Sequence, residues 1–194
     1  MKVLLLHAHP VTESFNAALH RTTLETLRRS GHEVDDRDLY AEGYDPVMSR
    51  DERIVHNLPG RNTAAIARDV ERLRAAEALV FVYPTWWLGM PAMLKGFIDR
   101  VFVPGVAFHL TGGLIAPGLT NIRKIAVITT YGGPWWYINL WLLRADRYLI
   151  ARNIRRLCRP DCGIEWHALY KLDTAPEPER RAFLARVEAA MARF

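Results

Sequence analysis

Two tryptophans in one short connection, Thr85-Trp86-Trp87-Leu88-Gly89-Met90, are the side chains best suited to a specific chemistry. Indole rings on a surface are costly unless they cover something flat. A planar aromatic ligand is one such occupant, and Gly89 would let backbone come close to it. Folding back onto the core, or a subunit contact, would cover the rings equally well. Two further segments carry groups that meet ligands. In His7-Ala8-His9-Pro10-Val11-Thr12-Glu13-Ser14-Phe15-Asn16, Ser14 is suited to cap a helix whose free N–H groups and dipole favour a phosphate. Many helices that bind nothing also start with serine. In Thr129-Thr130-Tyr131-Gly132-Gly133-Pro134 the glycines allow backbone to approach a bound group.

Other candidates carry less. Cys158 and Cys162 have three residues between them, which does not match the usual zinc spacing, and His167 adds little. Two reduced thiols and no metal are expected. A net charge of +5 and a pI near 9.5 raise the question of nucleic acid. The one arginine cluster, Arg144, Arg147, Arg152, Arg155, Arg156 and Arg159, falls on a predicted helix, where a solvated face is the commoner explanation. An anionic partner or a cofactor phosphate would also account for it. No zinc-finger, single-strand-binding or helix-turn-helix signature accompanies it, so nucleic acid is not expected.

Each candidate loop must be positioned by the element before it. Lys2–Leu6 and Leu79–Tyr83 are short and wholly apolar, as strands buried on both faces are. Ile125–Thr130 is a third strand of this kind, Glu33–Asp38 a polar edge strand, and Trp166–Leu172 a fifth strand. Pro84 ends the central strand, because proline lacks the ladder N–H. Helices are expected from Ser14 to near Gly31, over Arg61–Ala76 with Ala65, Val70 and Leu73 facing in, and from Pro91 with Leu94, Phe97, Ile98 and Val101 on one face. A last helix from Pro176 buries Phe183, Val187, Ala190 and Met191. Tyr40–Gly60 reads as a surface excursion with one helical turn. Phe102–Arg123 reads as a long glycine-bearing connection, and Trp135–Cys158 as one long amphipathic stretch.

Strands alternating with helices predict a doubly wound parallel sheet of five strands in the order 2-1-3-4-5. The loops after strands one, three and four then converge on one edge. A single domain over residues 1–194 is expected. Half the residues are hydrophobic and 24% charged, as in soluble globular proteins. No apolar run is long enough to cross a bilayer, and MKVLLLHAHP lacks the length and cleavage site of a signal peptide, so a cytoplasmic location is expected.

AHPVTESFN, YPTWWLGMPAMLKGFIDRVF and TTYGG, in this order and at these intervals, resemble the flavodoxin-like NAD(P)H:quinone oxidoreductases. That family includes DT-diaphorases, modulators of drug activity and ancillary oxidoreductases of potassium efflux systems. The resemblance runs from Val3 to about Phe194 and is to the short, bacterial form. It implies a flavin; short members occur with FMN or FAD, and FMN is expected here because the sequence shows no groove for an adenosine beyond the first loop. His9, Phe15 and Asn16, with Ser14 adjacent, match the family's phosphate segment. Thr85, Trp86, Trp87 and Leu88 match the loop lining the isoalloxazine ring with its backbone. Thr129, Thr130, Tyr131 and Gly132 match the loop bonding the pyrimidine end, and the amides from Tyr131 to Gly133 would hold negative charge there. Tyr137 falls at the family's catalytic tyrosine. The implied activity is ping-pong hydride transfer from NAD(P)H through flavin N5 to a quinone in a shared pocket, by a homodimer.

Two positions depart from the long members. Leu143 stands where they carry the histidine that partners the tyrosine, and Phe108 and Leu110, flanking His109, replace two pocket tyrosines. Two alternatives remain: a flavodoxin-type electron carrier, or a regulatory flavoprotein subunit of a potassium efflux system. The basic pI and the lack of a Ser/Thr-Gly-rich phosphate loop stand against the carrier. Only the arginine cluster supports the regulatory subunit.

Overall fold

Strands that are apolar on both faces must be covered on both faces, and this decides the architecture. The computed structural model describes all 194 residues. β1 (Lys2–His7), β2 (Glu33–Asp38), β3 (Ala78–Pro84), β6 (Lys124–Thr130) and β7 (Gly163–Leu169) form one parallel sheet in the order β2-β1-β3-β6-β7. Counted along the chain within this sheet, that is the expected 2-1-3-4-5. β3 lies at the centre and is buried at every position. β2, the polar strand, takes an edge.

Alternate residues of the strands divide between two cores. On one face Val3, Leu5, Val80, Val82, Ala126 and Ile128 meet α1 (Phe15–Arg29) and α6 (Glu177–Met191) through Leu19, Leu27, Phe183, Val187 and Met191. On the other, Leu4, Leu6, Leu79, Phe81, Ile125 and Val127 meet α3 (Ala67–Ala75) and α4 (Ala92–Val101) through Val70, Leu73, Leu94, Phe97 and Val101. Each buried Val, Leu, Ile, Phe or Met side chain contributes about 1.5–3 kcal/mol by leaving water. Ser14 caps α1, accepting from the Ala17 N–H at 3.1 Å, and Gly31 beyond its end has φ +81°.

The surface excursion after β2 is clasped rather than loose. α2 (Arg50–Val55) is its one helix, and Glu52 there accepts from Arg100 of α4 at 2.7 Å. Arg37, buried in β2, bonds Glu42 and Asp69, and these partners hold its guanidinium charged well above the ordinary arginine range. Gly96 lets α4 lie against Pro46: a Cβ at Gly96 would fall 2.4 Å from the Pro46 Cβ.

Several expectations are corrected. The fifth strand ends at Leu169, because Lys171 adopts a left-handed conformation and turns the chain out of the sheet. Helix α3 is preceded by a 3₁₀ turn, Ala64–Ile66, so Ile66 is buried and Ala65 exposed. The Phe102–Arg123 connection contains an antiparallel hairpin, β4 (Phe108–Thr111) and β5 (Leu114–Pro117), turned by Gly112 and Gly113. Trp135–Cys158 is not one helix. It consists of π-helical segments Tyr137–Trp141 and Tyr148–Ile154, a 3₁₀ turn between them, and the short α5 (Arg155–Leu157), because Leu143 and Arg144 are both left-handed.

Alanine normally stabilises a helix interior over glycine, yet Gly96→Ala should destabilise by about 1–3 kcal/mol through overpacking on Pro46. Urea unfolding followed by circular dichroism measures it, and an unchanged or raised midpoint would show that the segment around Pro46 yields.

Candidate functional site

Parallel pairing brings the carboxyl ends of β1, β3 and β6 to one edge. His7 pairs with Val82, Tyr83 with Thr129, and Pro84 with Thr130. The loops beyond remain tied: the Ala8 N–H donates to Val82 O at 3.2 Å and the Thr85 N–H to Thr130 O at 2.8 Å. The hydroxyls of Thr85 and Thr129 are 2.9 Å apart.

The tryptophan loop is a tight two-residue turn. Trp86 and Gly89 exchange backbone hydrogen bonds of 2.9 and 3.0 Å, and both central residues, Trp87 and Leu88, are left-handed. Such turns ordinarily take Asn and Gly, and a bulky residue there costs about 1–3 kcal/mol. The strain holds the indoles out rather than in. Trp87 is 102% exposed and Trp86 42%, so folding back onto the core is ruled out.

The loop after β6 differs in part from expectation. Thr129 and Thr130 are buried at the strand end. The Tyr131 N–H is spent on Leu169 O at 2.8 Å, so that amide does not serve a ligand. Its ring is buried and stacked on Tyr170, and its hydroxyl donates to Asp146. Burial pushes the phenol well above its ordinary pKa and also raises the Asp146 carboxyl. The N–H groups of Gly132 and Gly133 have no acceptor in the chain. Asp173, beyond β7, closes in on Gly132, where a Cβ would lie 2.7 Å from its carboxylate. The result is a cleft of about 540 Å³ lined by Thr85, Trp86, Trp87, Thr130, Gly132 and Asp173. A second, of about 230 Å³, shares Thr85, Trp87 and Gly132 and adds Leu88, Gly133 and Ile138.

In the loop after β1, Phe15 packs its ring on Phe183, which leaves only its backbone open at this edge. The N–H groups of Phe15 and Asn16 are free at the start of α1. His9 Nδ1 lies 3.1 Å from the Val11 N–H and 3.0 Å from the Ser14 hydroxyl. Nδ1 also lies 3.2 Å from Val11 O, but the Val11 N–H can only donate, so Nδ1 accepts from it and the ring proton lies on Nε2. Asn16 is buried; its Oδ1 is 3.2 Å from His7 Nε2, and its Nδ2 has no partner.

Behind Asn16 lies a cluster that the residue-by-residue reading missed. The rings of His7 and His20 stack with centroids 4.2 Å apart and an interplanar angle of 2°. His7 Nδ1 is 3.1 Å from Asp38, and His20 Nε2 is 2.7 Å from Asp36. The signals were a histidine ending an otherwise apolar strand, and Asn16 and His20 four residues apart on one helix face. His7, His20 and Asp38 are close enough to suggest a metal, but stacked rings place their lone pairs in two parallel planes, and one ion cannot lie in both. Burial, then the neighbouring His20, lowers the pKa of His7 against the opposing pull of Asp38.

Tyr137 begins the first π-helical segment, partly exposed and edge-on to Trp136. Its ring lies 3.6 Å from where a Gly133 Cβ would be, which places it at the rim of the β6 loop. Leu143, at the family's histidine position, is left-handed and exposed.

A fold with this sheet order and a ligand cleft at its carboxyl edge is flavodoxin-like. The family model for the flavodoxin-like fold matches residues 1–192, and the chain belongs to that family. NAD(P)H dehydrogenase (quinone) 1 of Rattus norvegicus is 28% identical over 198 residues, covering 92% of this chain and 72% of the rat protein. An uncharacterized NAD(P)H oxidoreductase of Haemophilus influenzae is 33% identical over 137 residues, 68% of this chain and 65% of that one. The crystal structure of Smu.1420 from Streptococcus mutans superposes with a TM-score of 0.83 at 27% identity, covering 100% of both chains.

Because the folded state disfavours the His7 imidazolium while the unfolded chain takes a proton near pH 6.5, stability should be full at neutral pH and fall as the pH drops below about 6.5. His7→Gln should flatten that fall in urea midpoints measured across the range. An equal slope in both proteins would place the acid sensitivity elsewhere.

Proposed function

We propose that the chain is a flavin-dependent NAD(P)H oxidoreductase, a single flavin-binding domain over residues 1–194. It passes electrons from reduced nicotinamide to a quinone or similar small acceptor, the two occupying one pocket in turn. The observation that carries this reading is a set of donors without acceptors on one sheet edge: the N–H groups of Phe15, Asn16, Gly132 and Gly133, and the buried Asn16 Nδ2. Together with open indoles beside the cleft, they suit a planar ring system with an anionic tail. The relation to quinone dehydrogenases supports the same chemistry.

A bound flavin would supply the reversible two-electron chemistry. The phosphate would be held by the free N–H groups of α1, by Asn16 Nδ2, and by His9 Nε2, with the Val11 N–H fixing the His9 tautomer and Ser14 alongside it. Thr85, Trp86, Trp87 and Leu88 would line the ring system. Gly132 and Gly133 would donate backbone N–H groups where negative charge gathers on reduction, without reorganising at that moment. Thr129 and Thr130 hold this loop level with the tryptophan turn. Tyr137, whose hydroxyl has no partner in the chain, would donate a hydrogen bond to the same charge. With Leu143 turned outward, no histidine returns a proton to it. FMN is our choice over FAD, since the sequence shows no groove for an adenosine beyond the first loop; mass spectrometry of the released cofactor decides between them. A homodimer would cover Trp86, Trp87 and the exposed Leu110, Leu114 and Ile115 of the hairpin.

Steady-state oxidation of NADH and NADPH with a water-soluble quinone should proceed and depend on flavin. A protein with neither bound flavin nor flavin-dependent oxidation would overturn the proposal. In stopped-flow reduction, Tyr137→Phe should be roughly tenfold slower with a nearly flat pH dependence, below the usual general-acid effect. An unchanged rate would make Tyr137 a packing residue, and a loss beyond about a thousandfold would mean that it relays a proton with another group.

A further inference from the structure

The charge that the cleft leaves unused is concentrated in one segment. Residues 135–159 hold six arginines and one acid, Asp146, which accounts for the whole net charge of +5 and leaves the rest of the chain with as many acids as bases. Asp146 is bonded by the Tyr131 hydroxyl, and Arg147 is drawn in onto Tyr170 and Trp166. Arg144, Arg152, Arg155 and Arg156 are exposed and have no carboxylate partner; only Arg159 is paired, with Asp161. Arg144 and Arg152 border one hollow of about 280 Å³ with Leu143 and Tyr148. Arg152, Arg155 and Arg156 border a second of about 670 Å³, so the cationic surface is continuous.

The same segment turns its largest apolar side chains outward. Trp135, Trp136 and Leu140 are exposed, Trp141 is 74% exposed and Leu143 71%. The left-handed break at Leu143 and Arg144 keeps these groups from folding under one helix. Tryptophans beside unpaired arginines are what a segment lying in a membrane interface presents: indoles at headgroup depth and guanidinium groups on lipid phosphates. A second copy is a poor cover, because isologous pairing would set these arginines against their own copies. No helix is long and apolar enough to cross a membrane, so any contact with lipid is peripheral.

We propose that this face docks the protein on an anionic phospholipid bilayer. Tyr137 stands between the face and the cleft, so docking turns the cleft mouth toward lipid-dissolved acceptors; that consequence alone rests on the reductase reading. The test is co-sedimentation of the full chain with phosphatidylcholine vesicles and with vesicles containing about one-quarter phosphatidylglycerol. Binding is expected to the anionic vesicles only and to fall with salt. Arg152→Gln with Arg156→Gln should weaken it roughly 25-fold, at roughly fivefold per arginine. Trp141→Ser should weaken it as well, and both variants should oxidise NAD(P)H with a water-soluble quinone at the unaltered rate. No sedimentation, equal binding to neutral vesicles, or indifference to the arginine pair would overturn the proposal. So would a Trp141→Ser variant that dissociates a dimer in light scattering while binding vesicles normally, since the face would then be a subunit contact. Anionic vesicle binding by a protein that oxidises no NAD(P)H would uphold docking and refute the reductase reading.

Discussion

The parallel pairing of β3 with β1 and β6 is the constraint on which the rest depends. β3 is buried on both faces and hydrogen-bonded on both edges, so neither neighbour can slip by a residue without exchanging its core face for the other. That register sets His7, Val82 and Tyr83, and Thr129 at nearly one level. The loops that follow therefore start from a common edge, and two backbone bonds, Ala8 to Val82 and Thr85 to Thr130, carry the alignment past the strand ends. The two-sided core fixes the level of the sheet edge, and the edge fixes the cleft.

The local conformations in those loops run against intrinsic preference. Trp87 and Leu88 sit in left-handed backbone that Asn and Gly would occupy more cheaply. Asn16 is buried with an unpartnered amide nitrogen, and exposed Gly132 and half-buried Gly133 present two N–H groups without an acceptor in the chain. The strained turn and the buried amide nitrogen are small costs, and they fall at the same edge as the two open glycine N–H groups. Strain and unsatisfied donors gathered at one place are what a site built for a bound group looks like, since the group would supply the missing acceptors and cover the rings.

The sheet was legible because its signals are local and redundant: apolar runs of strand length, proline at Pro84 and Pro91, the Ser14 cap, and a polar β2. The register of helical faces was legible for α4 and α6 for the same reason. The hairpin at Phe108–Pro117 was not, because its two four-residue strands are mostly exposed and show no buried alternation. Trp135–Cys158 was misread because its apolar residues satisfy a helical period while Leu143 and Arg144 break the backbone, and neither residue type announces a left-handed conformation. Within the site, the loops could be named from the sequence, but the diversion of the Tyr131 amide to Leu169 depends on β7 reaching that far. The His7–His20 stack likewise needed β1 and α1 placed together.

The central claim is that one flavin answers the donors left open by the loops after β1 and β6. Titration of the flavin-free chain with FMN, followed by flavin fluorescence, addresses it most directly when repeated on Asn16→Leu. The account predicts one flavin per chain, with affinity lowered by roughly tenfold in the variant for the loss of one hydrogen bond to a charged group, while the flavin-free variant still folds and loses only the about 1–3 kcal/mol of the buried Asn16 Oδ1–His7 contact. A chain that binds no flavin, or one whose affinity is indifferent to Asn16→Leu, would contradict it.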